Sequence, residues 1–579
     1  MVKVRRAGCL CSMHSILVIA IIIWTTVFAY LSISLYNLQS KGKDVNEKQA
    51  LISNYEQALL DLAGLKDENE KLRGLLNEEK MLKSQERNIS ANKSSKFKKW
   101  QRWIAEEKNK PSNIPLVQDR FSTEHEMARR QLHTSIWELY YYLSNQLELA
   151  SNISAFKNHA RNQMLSLLGQ SAAFRNTDSA ESWRANALAN ISAIFQNHFY
   201  KMQNPDDCKA ARILTCDLNK QCGFGCQLHH VTYCFIVAYG SNRTLVLRDD
   251  GRTWNYAPDG WNSAFLPITK CSFSEIFKPN ENADSWSTDK HYRNKRILNL
   301  PIVDSLSYRP PYLPLAIPQS YSGELLKLHS NPPVFFISQF IRYLMRPSAV
   351  FAEKIDDAAR KVPYDKGPIV GLQIRRTDKI HTEASFHDLD EYMKWTEDWF
   401  QIEEYRIGSF VKRRIYIATD DPKVFNEAAT KYPNYEIYGD VKISSIAQVQ
   451  SRYTMESLIG VVVDIELLSR CTFLVCTFSS QVCRMGYELM QIHFGDAGDR
   501  FHSLDDIYYF GGQQAHEQVV VEPYVAENDD EIDLKTGDVI GIAGNHWNGF
   551  SKGTNRRTGQ NGLYPSYKTR EKYIILDFP

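Results

Sequence analysis

GPIVGLQIRRTDKIHTEASF, residues 367–386, begins apolar and ends charged. Its opening run, Ile369-Val370-Gly371-Leu372-Gln373-Ile374, is short and β-branched, the composition of a strand buried on both faces of a parallel sheet. It breaks into Arg375-Arg376-Thr377-Asp378-Lys379. In open α/β folds ligands bind beyond the carboxyl ends of the strands, so this cluster stands where a phosphorylated substrate would be held. Guanidinium offers flat, forked donors that match phosphate oxygens and keeps its charge at physiological pH, which suits Arg375 and Arg376 to a leaving diphosphate. Glu383 follows as a candidate general base. The same letters also spell a solvated turn of paired ions, so the surroundings must decide.

Those surroundings alternate. Strands are expected at residues 414–418, 435–438 and 473–476, and helices at 388–401, 423–432, 455–469 and 481–491, the period of a doubly wound parallel sheet. Thr419-Asp420-Asp421 closes one strand. Thr477-Phe478-Ser479-Ser480-Gln481 leads from another into a helix whose N-terminal amides and hydroxyls suit phosphate. Asp464 falls inside an apolar helix pattern, where an acid requires a partner or a ligand. Asp388-Leu389-Asp390 has the spelling of a metal-binding Asp-x-Asp, but it opens a helix, where acids favour the N-terminus; no metal is expected.

A chain of 579 residues exceeds one ordinary core, and a net charge of +2 argues against a general nucleic-acid binder. Lys3, Arg5 and Arg6 precede an uncharged stretch whose apolar part, residues 16–35, is long enough to cross a hydrocarbon core of about 30 Å. The expectation is a type II signal anchor with everything after Lys41 in an oxidising lumen. Sequons at Asn88, Asn92, Asn152, Asn190 and Asn242 agree. Of 11 cysteines, Cys9 and Cys11 precede the anchor. Cys208, Cys216, Cys222, Cys226, Cys234 and Cys271 then cluster, and Cys471, Cys476 and Cys483 come later. A zinc site can be drawn from Cys216, Cys222, Cys226 and Cys234 with His229 and His230; the compartment favours disulfides, with Cys471 the odd thiol.

Residues 44–108 are polar and helix-prone. Tyr55, Leu62, Asn69 and Leu76 fall on one seam position and Leu51, Ala58, Leu65 and Leu72 on the other, which predicts a two-stranded coiled coil and a homodimer. Long helices at 128–150 and 182–199 are expected to brace that dimer, and the Pro-rich stretch 305–318 to be an extended loop. From Val519 the chain turns to short strands and Gly-containing turns, a small β-barrel. VEPYVA, Gly537-Asp538-Val539, Trp547 and Gly562-Leu563-Tyr564-Pro565-Ser566-Tyr567 resemble a Src homology 3 domain. In a lumen its polyproline partners are scarce, so it is expected to support the enzyme or touch its acceptor.

Taken together, VGLQIRRTDK, ATDD, TFLVCTFSSQVCR and HSLDDIYYFGGQ resemble the α1,6-fucosyltransferases of N-glycan core fucosylation, through nearly the whole chain. The resemblance implies a glycosyltransferase-B-like α/β fold and a metal-independent, inverting transfer from GDP-fucose in the Golgi membrane. Arg375, Arg376, Tyr256, Asp464, Ser480, Gln481 and Asp420 would bind the donor. Glu383, assisted by Lys379, would deprotonate the acceptor, with Lys220, Asp304, Asp505, Asp506 and, from the barrel, His546 holding it. The implied disulfides are Cys208 with Cys271, Cys216 with Cys234, Cys222 with Cys226, and Cys476 with Cys483. Gln373 departs from the pattern, standing where vertebrate members carry His. The implied organisation is a cytoplasmic tail (1–14), anchor (15–36), stem and coiled coil (37–108), helical region (109–203), cysteine-rich α/β subdomain (204–365), Rossmann-like donor domain (366–512) and SH3-like barrel (513–579). A fucosyltransferase with a protein hydroxyl as acceptor, or a lumenal lectin, are the competing readings.

Overall fold

A computed structural model describes residues 120–149, 154–286, 294–302, 309–376, 385–447 and 451–579. The expected anchor and coiled coil lie outside these residues. Among the described residues no helix is long and apolar enough to cross a membrane.

The described residues open with three helices, α1 (Thr123–Leu149), α2 (Ser154–Asn176) and α3 (Ala180–Gln203). Only α1 and α3 follow from the apolar pattern. Helix α2 buries a narrow face, Met164, Leu165 and Leu168, inside a mostly polar stretch, so its periodicity is faint. That face meets Ile136, Tyr140 and Tyr141 of α1.

The cysteine-rich region builds a parallel sheet from β1 (Ile213–Cys216), β2 (Thr244–Leu247), β3 (Asp284–Ser285) and β4 (Ile297–Leu300), in the order β2-β1-β4-β3. Helix α4 (Phe224–Gly240), between β1 and β2, is mostly apolar and is buried along nearly its whole length. Among the described residues four disulfides form: Cys208–Cys271, Cys216–Cys234, Cys222–Cys226 and Cys476–Cys483. Cys471 is free and buried. His230 lies beside Cys216 and Cys234, but the bond between those sulfurs consumes the thiolates a zinc site requires.

Strand β5 (Ala316–Pro318) interrupts the stretch expected to be loop, and α5 (Pro332–Leu344) and α6 (Ala349–Ala359) lead on. The second parallel sheet follows: β6 (Val370–Ile374), α7 (Leu389–Ile407), β7 (Arg414–Thr419), α8 (Lys423–Lys431), β8 (Glu436–Tyr438), α9 (Val441–Ile446), α10 (Met455–Ser469), β9 (Phe473–Cys476), α11 (Gln481–Phe494) and β10 (Phe501–Ser503). The order is β10-β9-β6-β7-β8, so the strand of the quoted stretch is central, and it is buried throughout. Gly371 sits there because a Cβ would stand 2.7 Å from Leu474 and 3.1 Å from the Cys471 sulfur. Asp388 and Glu391 form a capping box on α7, and Asp390 pairs with Lys431, as the helix-start reading of these acids expects.

Gly439 follows β8 at φ +150°, where an added Cβ would lie 2.5 Å from the Ile417 carbonyl oxygen of β7. Gly439→Ala is therefore expected to cost about 1–3 kcal/mol, since backbone or strand must shift to admit the methyl group. A lowered Tm with unchanged far-UV circular dichroism checks this.

The barrel consists of β11 (Glu517–Val520), β12 (Val539–Asn545), β13 (Phe550–Asn555), β14 (Asn561–Pro565) and β15 (Thr569–Lys572), antiparallel in the order β14-β13-β12-β11-β15. Val520, Ile532, Leu534, Ile540 and Tyr564 fill it. The chain then leaves the barrel as β16 (Ile574–Leu576), which pairs in parallel with β5. Phe578 packs into the main core, and Tyr239 donates a 2.9 Å hydrogen bond to the Pro579 carbonyl.

Candidate active site

Beyond the carboxyl ends of β6 and β7 lies a cleft of ≈ 390 Å³, also lined by residues 221–226 at the start of α4. Gln373, Arg375, Asp420, Tyr256, Asp464 and Gln481 all line it. Residues from separate parts of the chain thus converge where strand ends gather, as α/β topology dictates. Arg375 lies on the wall with its Nε 3.8 Å from Asp420 Oδ2, and Asp420 Oδ1 accepts from the Arg376 amide at 2.8 Å, fixing the turn after β6.

Asp464 is buried on α10, and its Oδ1 accepts a 2.7 Å hydrogen bond from the Tyr416 phenol of β7. Burial pushes its carboxyl up to about 7; the phenol's donation opposes this and the neighbouring Asp440 adds to it. Gln373 is also buried, and its Oε1 has no partner among the described residues. Gln481 is held from behind by His229, whose other ring nitrogen lies 2.8 Å from Glu488 Oε2; Tyr508 donates to the same carboxylate at 2.6 Å. Burial raises the Tyr256 phenol, keeping it a neutral donor.

A family model described as alpha-(1,6)-fucosyltransferase N- and catalytic domains matches residues 5–509, and one described as a variant SH3 domain matches 520–569. The chain belongs to the alpha-(1,6)-fucosyltransferase family. The alpha-(1,6)-fucosyltransferase of Caenorhabditis elegans is 45% identical over 556 residues, covering 94% of this chain and 96% of that protein. That of Drosophila melanogaster is 43% identical over 472 residues, covering 79% and 75% respectively. The crystal structure of fucosyltransferase NodZ from Bradyrhizobium is 14% identical, aligned over 48% of this chain and 92% of that one with a TM-score of 0.29.

Other expected residues of this alpha-(1,6)-fucosyltransferase lie apart from the cleft or outside the described chain. The Arg376 guanidinium turns away from the cleft to Glu427 of α8, at 2.6 Å, and the Phe386 ring lies over it. Its side chain is committed to α8 and lies apart from the cleft that Arg375 lines. In the loop before α11 the Phe478 and Ser479 amides donate to Asp505 at 2.7 and 3.2 Å. Asp505 therefore clamps that loop. Ser480 is buried beneath it, its hydroxyl without a partner among the described residues. Asp506 lies against the barrel, 3.4 Å from where a Cβ on Gly544 would stand, and burial raises its carboxyl. Trp547 donates to the Asp505 carbonyl at 3.2 Å and packs on His502 and Tyr141, so the barrel's tryptophan is a joint with the catalytic body; His546 beside it is exposed. Lys220 immediately precedes the cleft-lining 221–226. Asp304, Lys379 and Glu383 lie outside the described residues.

Pattern reading missed Arg452, on the cleft wall, and Tyr416, behind Asp464. Tyr416 reads as an ordinary interior strand residue; only its partner's isolation inside an apolar helix hints at it.

Proposed function

We propose that the enzyme transfers fucose from GDP-fucose to the 6-hydroxyl of the innermost GlcNAc of N-glycans, with inversion and without a metal cofactor. The observation that carries this reading is the Arg375 guanidinium at the end of β6, sharing one cleft with a buried carboxylate and a buried phenol. The guanidinium suits a diphosphate, the Asp464 carboxylate the paired N–H donors of guanine, and Tyr256 a ribose or phosphate oxygen. Inversion is a single displacement. The leaving diphosphate's charge is stabilised on one face of the sugar, by Arg375, while a base removes the acceptor proton on the other. Glu383, assisted by Lys379, is the proposed base, in the segment that follows β6. Lys220, Asp304, Asp505, Asp506 and His546 are proposed to hold the acceptor, Asp505 also by shaping the loop. The proposed setting is the Golgi membrane, anchored through residues 15–36 with the catalytic part lumenal. A homodimer forms through the coiled coil and helices α1 and α2, where Leu132, Leu139, Phe156 and Phe174 are exposed.

Incubating the chain with GDP-fucose and a GlcNAc-terminated biantennary glycopeptide in excess chelator is expected to add one fucose to the core GlcNAc 6-hydroxyl, read by mass and linkage. Transfer to another hydroxyl, or none until a divalent cation is restored, overturns the acceptor or the cofactor part respectively.

A further inference from the structure

We infer that Tyr416 is a positioning residue of the donor site: its phenol fixes one oxygen of the Asp464 carboxylate and leaves the other to accept from a guanine base. The inference rests on the donor reading above. Tyr416 lies in mid-strand on β7, is 2% exposed, and donates to Asp464 Oδ1 at 2.7 Å. Among the described residues Asp464 Oδ2 makes no hydrogen bond, and Asp464 lines the cleft with Arg375 and Gln373. A carboxylate held at one oxygen is restricted in rotation. Its orientation is thereby set before any ligand arrives, which removes an ordering cost from binding.

Guanine carries an N1–H and an exocyclic N–H on one edge, whereas adenine offers an acceptor nitrogen there. An ionised carboxylate therefore attracts one and repels the other. The ionised form is needed, and it is contested. Burial favours the neutral acid and so does Asp440, while the Tyr416 phenol favours the anion. Tyr364 and Cys471 stand near the phenol, and Arg375 and Arg452 face the same cleft. Phenylalanine at 416 keeps the shape of the core and deletes only the donor, so the acid becomes harder to ionise.

The test measures GDP, inosine diphosphate and ADP affinity by calorimetry on the full chain and its Tyr416→Phe variant, between about pH 6 and about pH 8.5, the range around a carboxyl displaced this far. At the acid end the variant is expected to bind GDP roughly tenfold more weakly, the worth of one hydrogen bond to a charged group, and to regain most of that at the alkaline end. Its preference for GDP over inosine diphosphate should shrink, and its donor KM should rise with kcat unchanged at saturation. Asp464→Asn should lose both the preference and the pH dependence. A loss of GDP affinity equal at every pH, or none, overturns the inference while leaving the donor reading intact. A wild-type enzyme that does not distinguish GDP from ADP sinks the donor reading and the inference with it.

Discussion

Replacing Arg375 by alanine is expected to reduce transfer by about a hundredfold to a thousandfold while the protein stays folded, the loss seen when a preorganised donor to a developing negative charge is removed. The guanidinium is a fifth exposed, faces the cleft, and leans on Asp420 from 3.8 Å. It is thus held in place without a ligand. Lysine there supplies a point charge without the fork, so Arg375→Lys should recover only part of the rate. Arg376→Ala is the informative control. Its guanidinium is spent on Glu427 and its amide on Asp420, so the expected effect is a lowered Tm and a smaller change in turnover. Equal kinetic losses from the two substitutions would show that the cleft assignment is wrong. Single-turnover transfer, with Tm recorded for each variant, separates the outcomes.

The largest stability effect is expected at Arg175. This residue ends α2 and reaches across to the segment after α11, where its Nη1 lies 2.5 and 2.7 Å from the Asp499 carboxylate oxygens and its Nη2 lies 3.1 Å from Asp496. Arg184 and Glu126 complete the buried network. Arg175→Leu removes the cation from the buried Asp496 and the half-buried Asp499, at an expected cost of about 3–5 kcal/mol. The pH dependence gives a second signature. Burial alone would raise both acids, yet Arg175 holds the Asp496 and Asp499 carboxyls below their usual range. Groups depressed in the folded state add stability above the unfolded value, and that contribution is lost as pH falls through the folded one. The Tm difference between wild type and Arg175→Leu should thus be widest near neutrality and narrow on acidification. A difference that stays constant with pH would assign the loss to packing instead.

Much of this was legible in the sequence because it depends on short-range pattern. The alternation that gives β6, β7, β9 and their helices follows from composition, and α10 and β9 lie on the residues expected. Arg375, Asp464 and Gln481 were legible because they stand at strand ends or interrupt an apolar face. What escaped depends on partners distant along the chain. Helix α2 has too few apolar residues to announce itself, and its stability comes from α1 and α7. Arg376 has the same local setting as Arg375, and only Glu427, 51 residues on, decides its direction. The contact of Asp505 with the loop before α11 likewise joins residues 27 apart and has no local signal.

The return of β16 to β5 has a consequence for biosynthesis. The strand that caps the catalytic body is among the last described segments to be made, so during vectorial translation the body must wait, with β5 unpaired and the Phe578 pocket unfilled, until the barrel has been threaded. Truncation at the barrel's start removes more than a module. It strips a β-edge and a core aromatic from the enzyme, and such a chain should linger with chaperones rather than emerge as a trimmed but active transferase.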